Sequence, residues 1–454
     1  MQKKHFSLSA NPARVITGSF LGVIITGTLL LMLPLSAKNG AVTNFFDALF
    51  TATSATCVTG LIVVDTYTHW TFFGQGVILS LIQIGGLGLV TLTLFFNLLI
   101  RRKLGLRTLQ LAQESTSASN FEDTPRLLRG IVGISLTVEA IGAVLLLPAF
   151  VPKYGMEGIF ISVFTSVSAF CNAGFDLLGR EGPYSSLIHY NGSYVLLVVS
   201  ALIIIGGLGF MVLFDLLHYH KSKKLRLHSR VVLLSTACLL FIGTLGFAAL
   251  EWHNPATMGN LPVWQKLNAA FFQSVSTRTA GFNSIDIASM NEISKVLSIG
   301  LMFIGAAPGS TGGGIKVTTI VVLIMTAVSV ARGYDDTIIM KHKIKRQVVN
   351  KSLTVVFIGF LAVLLASGVI IYTTHDGGVT ASTVDALFES TSAFATVGLS
   401  SGITAIANLP SKLLLIATMF LGRIGPISFL LSLAAGSGKV NRKQVMPEGH
   451  LNVG

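Results

Sequence analysis

Charge is scarce in this chain: only 11% of its 454 residues are Asp, Glu, Lys or Arg, while 52% are apolar. Charged side chains mostly stay in water, so a soluble protein of this size would lack its shell. The apolar excess, a mean hydropathy of +0.73, has to face lipid. Cysteine is also sparse, and Cys57, Cys171 and Cys238 have neither disulfide nor zinc spacing. None of the ten histidines lies inside an apolar run. A buried metal or acid–base centre is therefore hard to assemble, which argues against an enzyme. No hydrophilic stretch is long enough to form a nucleotide-binding domain.

Long apolar runs are what the chain does have. Crossing a bilayer core roughly 30 Å thick takes about 20 helical residues. Residues 15–33, 76–100, 131–150, 194–217, 231–250 and 353–372 meet that length, and 296–330 and 413–435 are interrupted versions. The expectation is an all-α integral membrane protein with eight transmembrane helices. The first run follows a basic segment, as in a signal peptide, but its length and glycines match the later runs, so it is read as a retained helix.

Of the 32 Lys and Arg residues, 23 fall in 1–14, 101–129, 218–230, 332–351 and 436–454, which are alternate connections plus the two ends. The positive-inside rule puts these in the cytoplasm, with both termini, in a multi-pass protein of the cell membrane. There they also meet anionic membrane lipids. The opposite connections carry most of the acids, including Asp47, Asp65, Glu157, Asp176, Asp286 and Asp385. Basic residues confined to short loops between spans do not make a nucleic-acid surface.

One motif occurs four times. A Phe (Phe50, Phe164, Phe271, Phe388) stands ten residues before a Gly (Gly60, Gly174, Gly281, Gly398), with small or hydroxylated residues between. The first and fourth copies even share Asp47-Ala-Leu-Phe50 and Asp385-Ala-Leu-Phe388, and the glycines are 114, 107 and 117 residues apart. Each copy lies between two spans, on the outer side. The apolar stretch is too short to cross a bilayer but long enough for half of it, so each repeat reads as span, pore helix, loop, span. Irregular backbone at membrane depth survives only when buried in protein or lining water. A lone Gly after a helix is often a simple C-cap, but four copies at matching positions call for a shared purpose. Four such loops can converge on one central pore, where carbonyl rings replace the hydration shell of a cation and four helix C-termini attract it. Repeats that cross twice share one orientation, unlike the inverted repeats of many carriers.

The domain reading follows. An amino end (1–14) precedes repeat 1 (15–100), a cytoplasmic linker (101–130) and repeat 2 (131–217). A second linker (218–230) leads to repeat 3 (231–331), and a third (332–352) to repeat 4 (353–435) and a tail (436–454).

The loops Cys57-Val-Thr-Gly60-Leu61, Cys171-Asn-Ala-Gly174-Phe175, Arg278-Thr-Ala-Gly281-Phe282 and Ala395-Thr-Val-Gly398-Leu399 are joined by a second set of glycine motifs. These are Gln83-Ile-Gly-Gly-Leu-Gly88, Gly206-Gly-Leu-Gly209, the 305–316 run and Gly422-Arg-Ile-Gly-Pro426. Together they resemble the Ktr/Trk/HKT superfamily of potassium transporters, and within it the KtrB type of membrane subunit, over nearly all of 12–435. The chain starts at the first repeat, whereas TrkH relatives carry an additional amino-terminal pair of spans. The resemblance implies that Gly60, Gly174, Gly281 and Gly398 are filter glycines. It also implies that carbonyls of Val58, Thr59, Asn172, Ala173, Thr279, Ala280, Thr396 and Val397 bind potassium. Sodium-preferring relatives can carry Ser at the first glycine, so four glycines imply potassium. It further implies a homodimer seated on a cytosolic ring of KtrA-like nucleotide-binding regulatory subunits, docked on the basic inner loops and tail, with transport stimulated by sodium. No cofactor is implied in this chain, and no metal beyond potassium.

Three further features bear on gating. Residues 308–314 are a glycine run that cannot hold a helix in lipid, and it lacks the Gly-Lys-Ser/Thr ending of a phosphate loop. It is either a packing kink or, as the resemblance implies, a flexible loop under the filter formed by Gly305, Gly309, Ser310, Thr311, Gly312, Gly313, Gly314 and Lys316. Arg423 lies within the last span, where a charge is costly. It either pairs with carbonyls of that loop, forms a positive barrier, or makes a structural salt bridge. Arg278, three before Gly281, braces its loop from behind, with Glu389 as the expected partner, while Lys316 and Asp215 reach the inner interface by snorkelling. Two other classes stay open at this point: a sodium- or proton-coupled secondary carrier of an organic solute, and a membrane-embedded enzyme.

Overall fold

The computed structural model describes residues 12–88, 124–376 and 382–434. The tail 436–454, most of the 101–130 linker, most of the amino end and the latter half of the 76–100 run lie outside the described residues.

Four units follow one another with the same internal order. The first comprises α1 (Pro12–Leu31), α2 (Phe45–Thr56), the single turn α3 (Thr66–His69) and α4 (Phe72–Leu87). The second comprises α5 (Thr124–Tyr154), α6 (Glu157–Phe170), α7 (Val195–Leu208) and α8 (Phe210–Ser222). The third comprises α9 (Leu227–Glu251), α10 (Val263–Ser276), α11 (Glu292–Phe303) and α12 (Val317–Ala331). A two-residue hairpin, Ile338–Ile339 with His342–Lys343, leads to the fourth. That unit has α13 (Arg346–Asp376), α14 (Thr383–Ala395), the turn α15 (Ile403–Ile406), α16 (Leu409–Ile424) and α17 (Pro426–Ala434).

The leading helix of each unit, α1, α5, α9 and α13, is long and apolar enough to cross a membrane. Their outward faces carry exposed Leu21, Ile25, Ile141, Phe241, Leu245 and Leu365, a surface that water would not tolerate as a patch. The short helices are the reverse: beyond their exposed first turns they are mostly buried. Each of them, 12 to 14 residues, spans about 20 Å at 1.5 Å per residue. Their starts are signalled locally. Asn44 and Ser382 accept from the backbone N–H groups of Phe46 and Asp385, and Asp47, Glu157 and Asp385 lie in first turns, where they complement the helix dipole.

The run 194–217, expected as one continuous span, is instead two helices, α7 and α8, meeting at 99°. The cause is Gly209, at φ 86 and ψ 144, a backbone region closed to side chains with a Cβ. Gly88 (φ 81, ψ 128) ends α4 and Gly425 (φ 91, ψ 136) separates α16 from α17 in the same conformation. In the third unit the corresponding break follows Phe303 and widens into irregular backbone up to α12. Hydropathy cannot register such a bend, because both arms are apolar.

The units close into a ring. The inner helix of each unit (α4, α7, α11, α16) packs on the short helix of the next (α6, α10, α14, and back to α2). Two ion pairs repeat the relation: Lys295 of α11 with Asp385 of α14, and Lys412 of α16 with Asp47 of α2, both at 2.8 Å.

Candidate functional site

Each short helix ends in the same backbone figure. The residues two before the glycine, Val58, Asn172, Thr279 and Thr396, lie at φ 56, 59, 69 and 51, and Gly60, Gly174, Gly281 and Gly398 at 92, 70, 79 and 95. Alternating left- and right-handed residues turn successive carbonyls to one side, an arrangement that helix and strand do not give. The figure is pinned by local bonds. Thr59, Ala173 and Val397 donate their N–H to the carbonyls of Ser54, Ser168 and Ser392, each at 2.8 Å, and Ala280 to Ser276 at 3.0 Å. The hydroxyls of Ser54 and Ser392 accept from the N–H of Gly60 and Gly398 at 3.1 and 3.0 Å. These serines were missed in the sequence, although Ser stands six before Gly in three of the four copies.

The four glycines meet. A methyl group added to Gly60 would strike the Ala173 carbonyl, one on Gly174 that of Ala280, one on Gly281 that of Val397, and one on Gly398 that of Thr59, each at 2.8 Å or closer. Contacts run 60 to 174, 174 to 281, 281 to 398 and 398 to 60, a closed cycle. The four filter glycines and the residues that precede them, Thr59, Ala173, Ala280 and Val397, are thus gathered at one place. A second glycine in three of the four inner helices makes the approach possible. Cβ atoms at Gly85, Gly206 and Gly422 would overlap the Thr56, Phe170 and Phe394 carbonyls at the ends of α2, α6 and α14.

On one side of the ring lies a cavity of about 310 Å³ lined by all four glycines and by Asp65, Asp176 and Asp286. Asp65 accepts from the N–H groups of Tyr67, Thr68 and Tyr184, and Asp286 from Ala288 and the Ser289 hydroxyl. Asp176, in the loop after Gly174, is partly buried. Burial pushes its carboxyl up to about 6 and repulsion from Asp65 adds to that, against the Leu178 N–H and Ser186 hydroxyl, which pull it down. Asp65 and Asp286 each stand five residues after a loop glycine, a spacing that sequence reasoning passed over.

On the other side lies the glycine run, in contact with the second, third and fourth units. Gly312 abuts the Thr279 side chain, and the Gly313 N–H donates to the Thr396 hydroxyl at 3.0 Å. The Thr311 hydroxyl donates to Phe170 O at 3.1 Å, and the Gly314 N–H to Gly422 O at 3.2 Å. Gly309 O accepts from the Phe210 N–H at 3.0 Å. Lys316 does not snorkel: it folds back onto the carbonyls of Gly312 (2.6 Å) and Gly313 (3.3 Å). Arg423 pairs with carbonyls, as one of its three readings held. Its guanidinium donates to Thr311 of the loop and to Gly85 and Gly86 of the first unit.

Arg278 does lie behind its loop, but the pair expected with Glu389 does not form. Glu389 turns to its own loop, accepting from the Ser400 and Thr404 hydroxyls and the Thr404 N–H. Arg278 reaches the Thr236 hydroxyl of α9. Glu139 accepts from Gln83 at 3.1 Å, and Asp215 pairs with Arg226 at 3.4 Å. Among the described residues no group of three or more His, Cys, Asp or Glu side chains is placed to hold a metal ion.

A family model described as TrkH, cation transport protein, matches residues 3–443. The Ktr system potassium uptake protein B of Bacillus subtilis is 40% identical over 424 residues, covering 93% of each chain. The potassium/sodium uptake protein NtpJ of Enterococcus hirae is 36% identical over 455 residues, covering the whole of both. In fold, the potassium transporter TrkH of Vibrio parahaemolyticus matches with a TM-score of 0.69 at 20% identity, covering 95% of this chain and 86% of that one.

Proposed function

The chain belongs to the TrkH family of cation transport proteins, and from that premise we propose that it is the membrane subunit of a Ktr-type potassium-uptake system. The observation that carries the reading is the closed cycle of four glycines, each lying against the carbonyl of the next loop. Such a ring replaces water around a dehydrated cation, while the C-termini of α2, α6, α10 and α14 supply negative potential. The three carboxylates of the outer cavity concentrate cations at its mouth. Each of the four units contributes two crossings, the second one broken at Gly209 in the second unit and at Gly425 in the fourth, which gives eight crossings with the basic linkers in the cytoplasm. Entry is driven by the membrane potential, about 2.3 kcal/mol per charge per 100 mV.

In this reading residues 309–314 are the gate. The loop lies directly under the ring, and Arg423 and Lys316 hold it closed through its carbonyls while placing two positive charges on the exit path. In the same reading the chain forms a homodimer on a cytosolic nucleotide-binding regulatory subunit; that relatives are named as parts of a Ktr system supports a partner subunit. Sodium enters as a second reading on one observation, the potassium/sodium name of the Enterococcus relative. The test is growth of a potassium-uptake-deficient bacterium at low potassium, followed by paired potassium and sodium fluxes. Rescue with potassium preferred supports the proposal. Failure to rescue, or equal fluxes, defeats potassium selectivity.

A further inference from the structure

The geometry points to the hydroxyl of Thr396 as a latch by which the filter itself holds the glycine run closed. Two residues before their glycines, the four loops share one left-handed backbone but not one side chain: Val58, Asn172, Thr279 and Thr396. Such φ values are uncommon for β-branched residues, and the ring gives no reason for them to differ. The side chains follow the gate instead. In the first loop the residue is apolar, and Val58 faces Gly85 of its own unit. Hydroxyls stand in the third and fourth loops, where the run passes, with Gly312 against Thr279 and Gly313 against Thr396. Asn172 shares a hydrogen bond of 3.2 Å with the Thr279 hydroxyl.

Thr396 is fully buried, and its hydroxyl accepts from the Gly313 N–H at 3.0 Å. Among the described residues this is the one hydrogen bond that joins the run to a filter loop. The others reach helix ends and inner helices, at Phe170 O, Gly206 O, Gly422 O and the Phe210 N–H. A Cβ at Gly313 would strike the same hydroxyl, so glycine is what lets the two backbones approach. Without the hydroxyl the closed loop keeps a buried N–H with no acceptor, which disfavours closure by a factor of about three to ten. Thr396 stands two residues before Gly398, so a shift of the fourth loop carries the latch with it. Thr396 is in this sense a positioning residue for the gate.

The inference rests on the reading of 309–314 as the gate, and the test separates the two. Rubidium uptake is measured with the full-length chain in membrane vesicles. Thr396→Val removes the hydroxyl, keeps the backbone carbonyl and places in the fourth loop the residue type that Val58 already shows to fit this conformation. It should raise uptake about three- to tenfold with the potassium-to-sodium flux ratio unchanged. Thr396→Ser, which keeps the hydroxyl, should match the wild type. In a chain lacking residues 310–313, Thr396→Val should add nothing. If loop removal raises uptake but Thr396→Val leaves it unchanged or lowers it, the latch is overturned and the gate stands. A rise that persists without the loop, or that comes with a fallen flux ratio, makes Thr396 a support of the filter and overturns the latch too. If loop removal itself changes nothing, the gate fails and the latch with it. Should Thr396→Val not reach the membrane, Thr396→Ala takes its place with the same outcomes.

Discussion

The two faces of the glycine ring are built on opposite plans. On the outer side the four units are nearly equivalent: the same left-handed residue two before each glycine, the same helix ends, the same contact passed from unit to unit. On the inner side equivalence is abandoned. The third unit replaces its glycine bend with a loop, and the fourth supplies Arg423 where the first and second have Gly86 and Gly207. Symmetry serves where a spherical ion must be wrapped by equal oxygens. Asymmetry serves where a passage must be closed, since one loop can block an axis that four equal ones would crowd.

The comparison breaks most visibly if the ring tolerates a methyl group. In Gly398→Ala the new Cβ meets Thr59 O in a left-handed conformation, and overpacking of this kind costs about 1–3 kcal/mol. Potassium uptake is expected to fall more than about tenfold, and near-normal flux would mean the loops do not meet as described. Next in size is the inner face. Removing residues 310–313, or Arg423→Gln, frees the loop and should raise flux, measured by rubidium uptake into vesicles. Unchanged flux would leave the asymmetry without a gating role. Gly60→Ser sharpens the outer face. Its positive φ and the nearby Ala173 carbonyl distort one quarter of the ring, so the potassium-to-sodium flux ratio drops while transport persists.

Smaller effects test the cycle and its mouth. The pair Lys412–Asp47 closes unit four onto unit one, with side chains 19% and 26% exposed. A double-mutant cycle of Lys412→Met and Asp47→Asn should give a coupling at or below about 1 kcal/mol. Asp176 carries the smallest expectation. Its carboxyl, raised to about 6, is ionised at pH 7.5 and neutral at pH 5. Acidifying the outside removes one negative charge from the mouth and lowers uptake at limiting potassium about twofold. Asp176→Asn should flatten that pH profile.

The outer face was largely legible in the sequence, because its signal is local. Phe and Gly ten residues apart, with small residues between, announce a short buried helix and its turn four times over. The Asp-Ala-Leu-Phe copies even mark the two short helices that receive a lysine from the preceding unit. The breaks inside 296–330 and 413–435 were legible, but the bend at Gly209 was not, since it sits in a run that is apolar on both sides and hydropathy reports burial or lipid, never direction. Side-chain partners failed for a different reason. Arg423 and Gly85 are 338 residues apart in sequence, so only the closure of the ring brings them together. Glu389 of the fourth short helix was the partner expected for Arg278, whereas the fold turns it toward Ser400 and Thr404 of its own loop.

The most direct test is to locate the ion. Crystals of the protein grown with rubidium or thallium in place of potassium should give an anomalous peak on the axis of the ring, between the carbonyl oxygens of Thr59, Ala173, Ala280 and Val397. Anomalous signal confined to the outer cavity or the protein surface, with none between those four oxygens, would contradict the account.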